Sequence, residues 1–299
     1  MSSPRPARAP RLTRRGVLAG VVALGAGAGA VGAQQGLHPD RAWLERRLGD
    51  PVDGPVPDVA AGRVVSGSFV SQARLGVRCG WAIGYPPGQH RDGQVAVVLH
   101  GKHGDHAKVF DPGYLALDKF LADAVAASGT PFALASVDGG NSYWHARDSG
   151  EDAGAMVRDE LLPVLGRHGL RTDRVGLMGW SMGGFGALSL AGRWGPDRAA
   201  AVVAESPALF PSYDAATPGA YDDPDDYAEV TVFGRQDSLS GIPVRVDCGT
   251  ADPFYDATRS YLSGFRERPA GAFTDGGHDV GYWRSMAPEQ LRFLARAFA

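Results

Sequence analysis

The sequence predicts a single α/β domain built on a mostly parallel sheet with helices on both faces. Five short, mostly apolar runs, at 95–99, 132–137, 175–178, 200–204 and 244–246, have the character of strands buried on both faces. Helical segments at 114–127, 154–168, 183–193 and 287–298 separate or follow them, and strands alternating with helices build parallel sheets. A chain of 299 residues with 44% apolar and 21% charged residues has the composition of a globular domain large enough to bury a sizeable core.

The elements follow in order. Residues 1–33 read as a targeting segment. Arg5, Arg8, Arg11, Arg14 and Arg15 precede any acidic residue, the first being Asp40, and a Gly/Ala-rich apolar run at 16–33 ends in small residues suited to signal peptidase. The pair Arg14-Arg15 resembles a twin-arginine export signal, so the expected location is outside the cell or in its envelope. A membrane anchor is the rival, but the many glycines suit one poorly. Cleavage after Ala33 or Ala30 removes five positive and no negative charges, taking the formal charge from −3 to −8. An acidic mature chain of this kind favours solubility over stable membrane insertion.

Residues 34–61 read as a short helix near 40–47 followed by a proline-rich linker, and 62–299 as the α/β domain. Val77, Cys79, Trp81, Ile83 and Tyr85 alternate with Arg78, Gly80, Ala82 and Gly84, the period of a strand with one buried face, paired with 64–75 as a hairpin. Residues 207–241 break the pattern. They carry Asp222, Asp223, Asp225 and Asp226 among Tyr213, Tyr221, Tyr227 and Phe233, and read either as a solvated loop or as a substrate-side insertion.

Composition excludes several classes. The formal charge of −3 gives no support for nucleic-acid binding, and two cysteines cannot staple a fold. Cys79 and Cys248 fall on an early and a late strand, so two buried free thiols are expected.

The chemistry centres on Gly179-Trp180-Ser181-Met182-Gly183, a G-x-S-x-G between a buried strand and a helix. A serine in that sharp turn needs small neighbours, and the helix N-terminus turns its free N–H groups toward the hydroxyl. Serine is a weak nucleophile until a base, oriented by a third group, takes its proton. His278, in the glycine-flanked loop 275–279, is the chosen base. Asp252, just after the strand at 244–248, is the chosen acid, ahead of Asp256 and Asp279. The oxyanion hole needs two N–H donors. Met182 supplies one, and Lys102 the other, with Gly101 as runner-up, from the loop after 95–99. His100, His103 and His106 with Asp105 also suggest a metal site, but Gly101 and Gly104 spoil the helix such spacing needs. No metal and no organic cofactor is expected.

The pieces 99–101, 138–145, 179–184, 249–252, Gly277-His278 and Tyr282-Trp283 together resemble the secreted esterase group of the α/β-hydrolases, which includes esterase D and the antigen 85 mycolyltransferases. The resemblance spans roughly residues 64–298. It implies an eight-stranded, mostly parallel sheet and an acyl-enzyme on Ser181, acting on a small-molecule or lipid ester. Trp180 and Gly183-Gly184 depart from the mycolyltransferase elbow, which sets acyl transfer to a sugar or glycerolipid alcohol behind hydrolysis. A non-catalytic envelope binding protein is the third reading. Tyr143, Trp144 and His145, at the carboxyl edge of the sheet, are the expected substrate-binding residues, with loop packing as the alternative.

Overall fold

Eight strands line up in the order β1-β2-β4-β3-β5-β6-β7-β8 in the computed structural model, which describes residues 53–88 and 92–299. The targeting segment 1–33 and the helix at 40–47 lie outside the described residues. β1 (Val64–Ser71) and β2 (Val77–Gly84) form the expected antiparallel hairpin, and β2 runs antiparallel to β4 (Phe132–Val137). β4, β3 (Gln94–Leu99), β5 (Val175–Trp180), β6 (Ala199–Glu205), β7 (Val244–Gly249) and β8 (Phe273–Thr274) are mutually parallel. β4 to β7 are buried along their whole length; β4, β5 and β6 are almost wholly apolar, while β7 alternates and buries Arg245 and Asp247 as a pair.

Helices cover both faces. α1 (Leu117–Ser128) buries Leu117, Phe120, Leu121 and Ala124, the stripe of one helical face, and packs beside the C-terminal helix. The opposite face carries a helical rod made of α2 (Ala153–Met156), a π turn at Val157–Leu161 and α3 (Leu162–Arg167), together with α4 (Met182–Trp194). The π turn precedes Pro163, whose missing N–H disrupts the regular ladder there. Cys79 and Cys248 are buried and form no disulfide, on β2 and β7 with four strands between them.

Three sequence expectations change. α1 begins at Leu117 instead of Tyr114, because Ala116 takes a left-handed φ of 50° that no helix interior has. The last helix does not start at residue 287; α7 (Val280–Phe298) begins seven residues earlier under the Asp279 cap and carries Pro288 in its interior. Residues 207–241 are no solvated loop. They contain two 3₁₀ turns and α5 (Pro224–Val230), and they bury Phe210, Tyr221, Val230 and Leu239 against the main core. α6 (Tyr255–Leu262) follows β7. Among the described residues no helix is long and apolar enough to cross a membrane.

Candidate active site

Ser181 sits between β5 and α4 with φ 55° and ψ −121°, a backbone conformation that costs a non-glycine residue about 1–3 kcal/mol. Neighbouring strands hold it there. Its N–H donates to the Glu205 carbonyl at 2.9 Å, and its carbonyl accepts from Ala208 N–H at 2.9 Å. The flanking glycines are a steric requirement. A Cβ on Gly183 would overlap the Leu99 carbonyl oxygen, and one on Gly179 would overlap the Gly183 carbonyl.

His278 meets this serine from the loop between β8 and α7. Its Nε2 lies 2.9 Å from Ser181 Oγ, and its Nδ1 lies 2.8 Å from Asp252 Oδ2. Asp252 is buried, and its other oxygen accepts the Phe254 N–H at 2.8 Å. Because Asp252 accepts at Nδ1, the imidazole carries its hydrogen there and presents a lone pair to the serine hydroxyl. Of the rival acids, Asp256 is exposed on α6 and Asp279 caps α7 through Tyr282 N–H. Neither has a hydrogen bond to His278.

The loop after β3 is the second wall. Gly101 lies so close that an added Cβ would press on Trp180 and on Ser181 Cβ. The Lys102 N–H that follows has no acceptor among the described residues. Met182 opens α4, where the first N–H groups have no partner within the helix. The three histidines of this loop go separate ways instead of converging on one point. His100 is fully buried. Its Nε2 accepts the Gly139 N–H at 2.9 Å, its Nδ1–H donates to the Gly101 carbonyl at 2.8 Å, and burial lowers its pKa. His103 is tied to Asn141 through its backbone N–H.

His106 bonds Asp138 Oδ1 through both its ring and its N–H, while Gly80 N–H donates to Oδ2. Burial would push the Asp138 carboxyl up, but these bonds outweigh it and hold it down at about 2. The bond to Asp138 raises the His106 pKa. Asp138 thereby fastens the 100–106 loop to the end of β4. Arg74 completes the knot by donating to the Asp138 carbonyl and pairing with Glu151.

Two of the three expected substrate-binding residues are fully buried. Trp144 is fully buried and donates from Nε1 to the His100 carbonyl, and His145 is fully buried with its ring nitrogens at the Ala146 and Ala220 carbonyls. Both spend their polar atoms on backbone carbonyls, a use that residue type alone does not reveal. Tyr143 is 3% exposed and faces Phe185, Phe210 and Tyr221. The rings that flank His278 are others. Phe254 stands 5.3 Å away on one side and Trp283 5.2 Å away on the other, both edge-to-face. Trp283 continues into Trp180 and Tyr114. Their nearness in sequence to Asp252 and His278 was the available signal.

The insertion 207–241 is clamped over the 138–152 loop. Asp222 accepts from Arg147 Nε and Nη2 at 3.1 and 2.6 Å and from Asp148 N–H at 2.7 Å. His145 secures Ala220 from below.

A family model described as "Putative esterase" matches residues 139–294. No curated protein matches the chain. Among solved structures, a ferulic acid esterase is similar at 23% identity and a TM-score of 0.66, covering 80% of this chain and 100% of its own. An S-formylglutathione hydrolase from Agrobacterium tumefaciens is 17% identical at a TM-score of 0.66, covering 81% and 98%. The fluorophosphonate-binding serine hydrolase FphF of Staphylococcus aureus is 16% identical at 0.61, covering 79% and 99%.

Proposed function

From a chain that belongs to the "Putative esterase" family and is a carboxylic ester hydrolase of α/β-hydrolase fold, we propose a serine esterase working through an acyl-enzyme on Ser181, His278 and Asp252. The observation that carries this reading is the unbroken hydrogen-bonded chain from Ser181 Oγ to His278 Nε2 and from Nδ1 to Asp252, at 2.9 and 2.8 Å. Ser181 Oγ attacks the ester carbonyl carbon while His278 Nε2 takes its proton, and the carbonyl electrons move onto oxygen. The N–H groups of Met182 and of Lys102 or Gly101 receive that oxyanion, each donor contributing about 3 kcal/mol. Collapse re-forms the carbonyl and expels the alcohol, which leaves with the proton from His278. Water then attacks the acyl-serine in the same way. His278 removes its proton and returns it to Ser181 Oγ as the acid departs.

The substrate is a small-molecule or lipid ester. Phe254 and Trp283 on either side of His278 give the site aromatic walls, which favour an apolar or aromatic substituent. We also propose export by the twin-arginine route, supported by Arg14-Arg15 and the Gly/Ala run of residues 16–33. Amino-terminal sequencing of secreted protein tests it: a start after Ala30 or Ala33 supports export, and an intact Met1 contradicts it.

The catalytic reading is tested with a series of p-nitrophenyl esters, short to long acyl, given to protein starting at Gln34, with and without a sugar or glycerol acceptor. Free acid as the main product in both conditions is expected. Acceptor ester as the main product makes the chain an acyltransferase, and folded protein inert on every ester overturns the reading.

A further inference from the structure

Behind the Ser181–His278–Asp252 chain lies a buried polar cluster for which the proposed reaction has no use. Glu205 ends β6, and its carbonyl holds the Ser181 N–H. Its side chain is buried, at 2% exposure. Its register partner on β7 is Asp247, which is bonded in turn by Arg245 of the same strand and by Gln290 of α7.

Charges do not balance there if every carboxyl is ionised. Arg245 is the one cation among these groups, and both its Nε and Nη2 are spent on Asp247, at 2.7 and 2.9 Å. Asp252 is engaged by His278. Glu205 is left with no counter-charge, and an unpaired carboxylate in a dry interior is neutralised by taking a proton. Burial and the neighbouring Asp247 push its carboxyl well above the ordinary carboxylate range, in the same direction.

Hydrogen-bond accounting reaches the same answer independently. Asp247 sits beside Glu205 in register across β6 and β7, and Gln290 donates to Asp247 Oδ2 at 3.0 Å. Two buried acceptors in this cluster, Glu205 Oε1 and Gln290 Oε1, have no donor. A single proton on Glu205 supplies one and leaves neither oxygen in need of another partner.

We propose that Glu205 is a neutral carboxylic acid in the folded protein at neutral pH, paired with the Gln290 side chain as acid to amide: amide N–H to one carboxyl oxygen, acid O–H to Gln290 Oε1. Glu205 is a positioning residue. It anchors the end of β6 that holds Ser181, and it keeps a second negative charge away from Asp252. This catalytic consequence rests on the esterase reading, whereas the protonation state does not.

Two measurements on folded protein test the protonation state without using activity. The infrared spectrum at pH 8 is expected to hold a protonated-carboxyl C=O band that shifts in D₂O and is missing from Glu205→Gln. Unfolding by denaturant, followed from pH 5 to 8, reads the same proton. An acid neutral when folded and ionised when unfolded weakens the folding equilibrium about tenfold per pH unit above the ordinary glutamate range. Wild type is therefore expected to lose stability relative to Glu205→Gln at that slope. No such band in wild type, or parallel stability curves, overturns the proposal.

Kinetics test the positioning role. Glu205→Ala is expected to lower kcat at least about tenfold, since the residue it removes backs the serine, and Glu205→Gln to restore most of the loss. A glutamine variant as slow as the alanine variant overturns that role. If no ester is turned over by wild type, the esterase reading fails, while the band and the slope still decide the protonation state.

Discussion

Replacing Asp252 by Asn should silence the site without unfolding it, and the structure dictates why. Oδ1 of Asp252 accepts the Phe254 N–H and Oδ2 accepts from His278 Nδ1. An asparagine has one acceptor oxygen where aspartate has two. The Phe254 N–H is a fixed backbone donor, so the amide oxygen stays with it and the amide NH₂ faces His278. Nδ1 must then accept, the ring hydrogen moves to Nε2, and the imidazole donates to Ser181 Oγ instead of taking its proton. In serine triads a wrong tautomer of this kind costs about 10⁴-fold in kcat, or about 5 kcal/mol of barrier. The assay is p-nitrophenyl ester hydrolysis, with thermal unfolding as the control for folding. Asp256→Asn and Asp279→Asn serve as comparisons: Asp256 is exposed, and asparagine caps a helix as well as aspartate does. Loss of less than about tenfold in Asp252→Asn, or an equal loss in either comparison, refutes the assignment of the acid.

Other predictions concern the frame around the site. Gly183→Ala drives a methyl into the Leu99 carbonyl and should cost about 3 kcal/mol or more of stability, seen as a lowered Tm or insoluble protein. Asp138→Asn should cost on the order of 2 kcal/mol at neutral pH. Because its folded pKa is depressed, the Asp138 contribution is present above the ordinary aspartate range and is lost as pH falls toward about 2. The variant should therefore lack that acid-side slope in urea unfolding between about pH 4 and pH 2. Arg147→Ala removes the clamp on Asp222 and should make 207–241 cleave severalfold faster in limited proteolysis, while an unchanged cleavage rate would show that the aromatic contacts of Tyr221 and Phe210 hold the insertion and refute the clamp.

The parts of this site legible in the sequence are those whose chemistry restricts the residue locally. Gly179 and Gly183 stand two residues from Ser181 because a Cβ at either would strike backbone, so the elbow announces itself over five positions. The apolar runs of β3 to β6 exposed the parallel sheet for a similar reason, since two covered faces leave little room for unpaired polar side chains. Where the deciding partner lies far along the chain, the reading weakened. Trp144 and His145 looked like substrate contacts because aromatic and polar side chains at a sheet edge usually are. Their actual partners are carbonyls of His100 and of Ala220, 44 and 75 residues away. The last helix reads as starting at residue 287, yet the Asp279 cap starts α7 at Val280 and its packing carries it through Pro288. Glu205 gave no signal, because one glutamate closing an alanine and valine run says nothing about being buried beside Gln290.

The central claim is that Ser181 becomes acylated. The direct measurement is intact-protein and peptide mass spectrometry after brief mixing of the chain with a p-nitrophenyl ester and acid quench, alongside Ser181→Ala. The account predicts a mass increase equal to the acyl group, confined to the peptide carrying Ser181 in wild type and missing from the variant. An acyl group found on another residue, or ester turnover by Ser181→Ala at the wild-type rate, would contradict it.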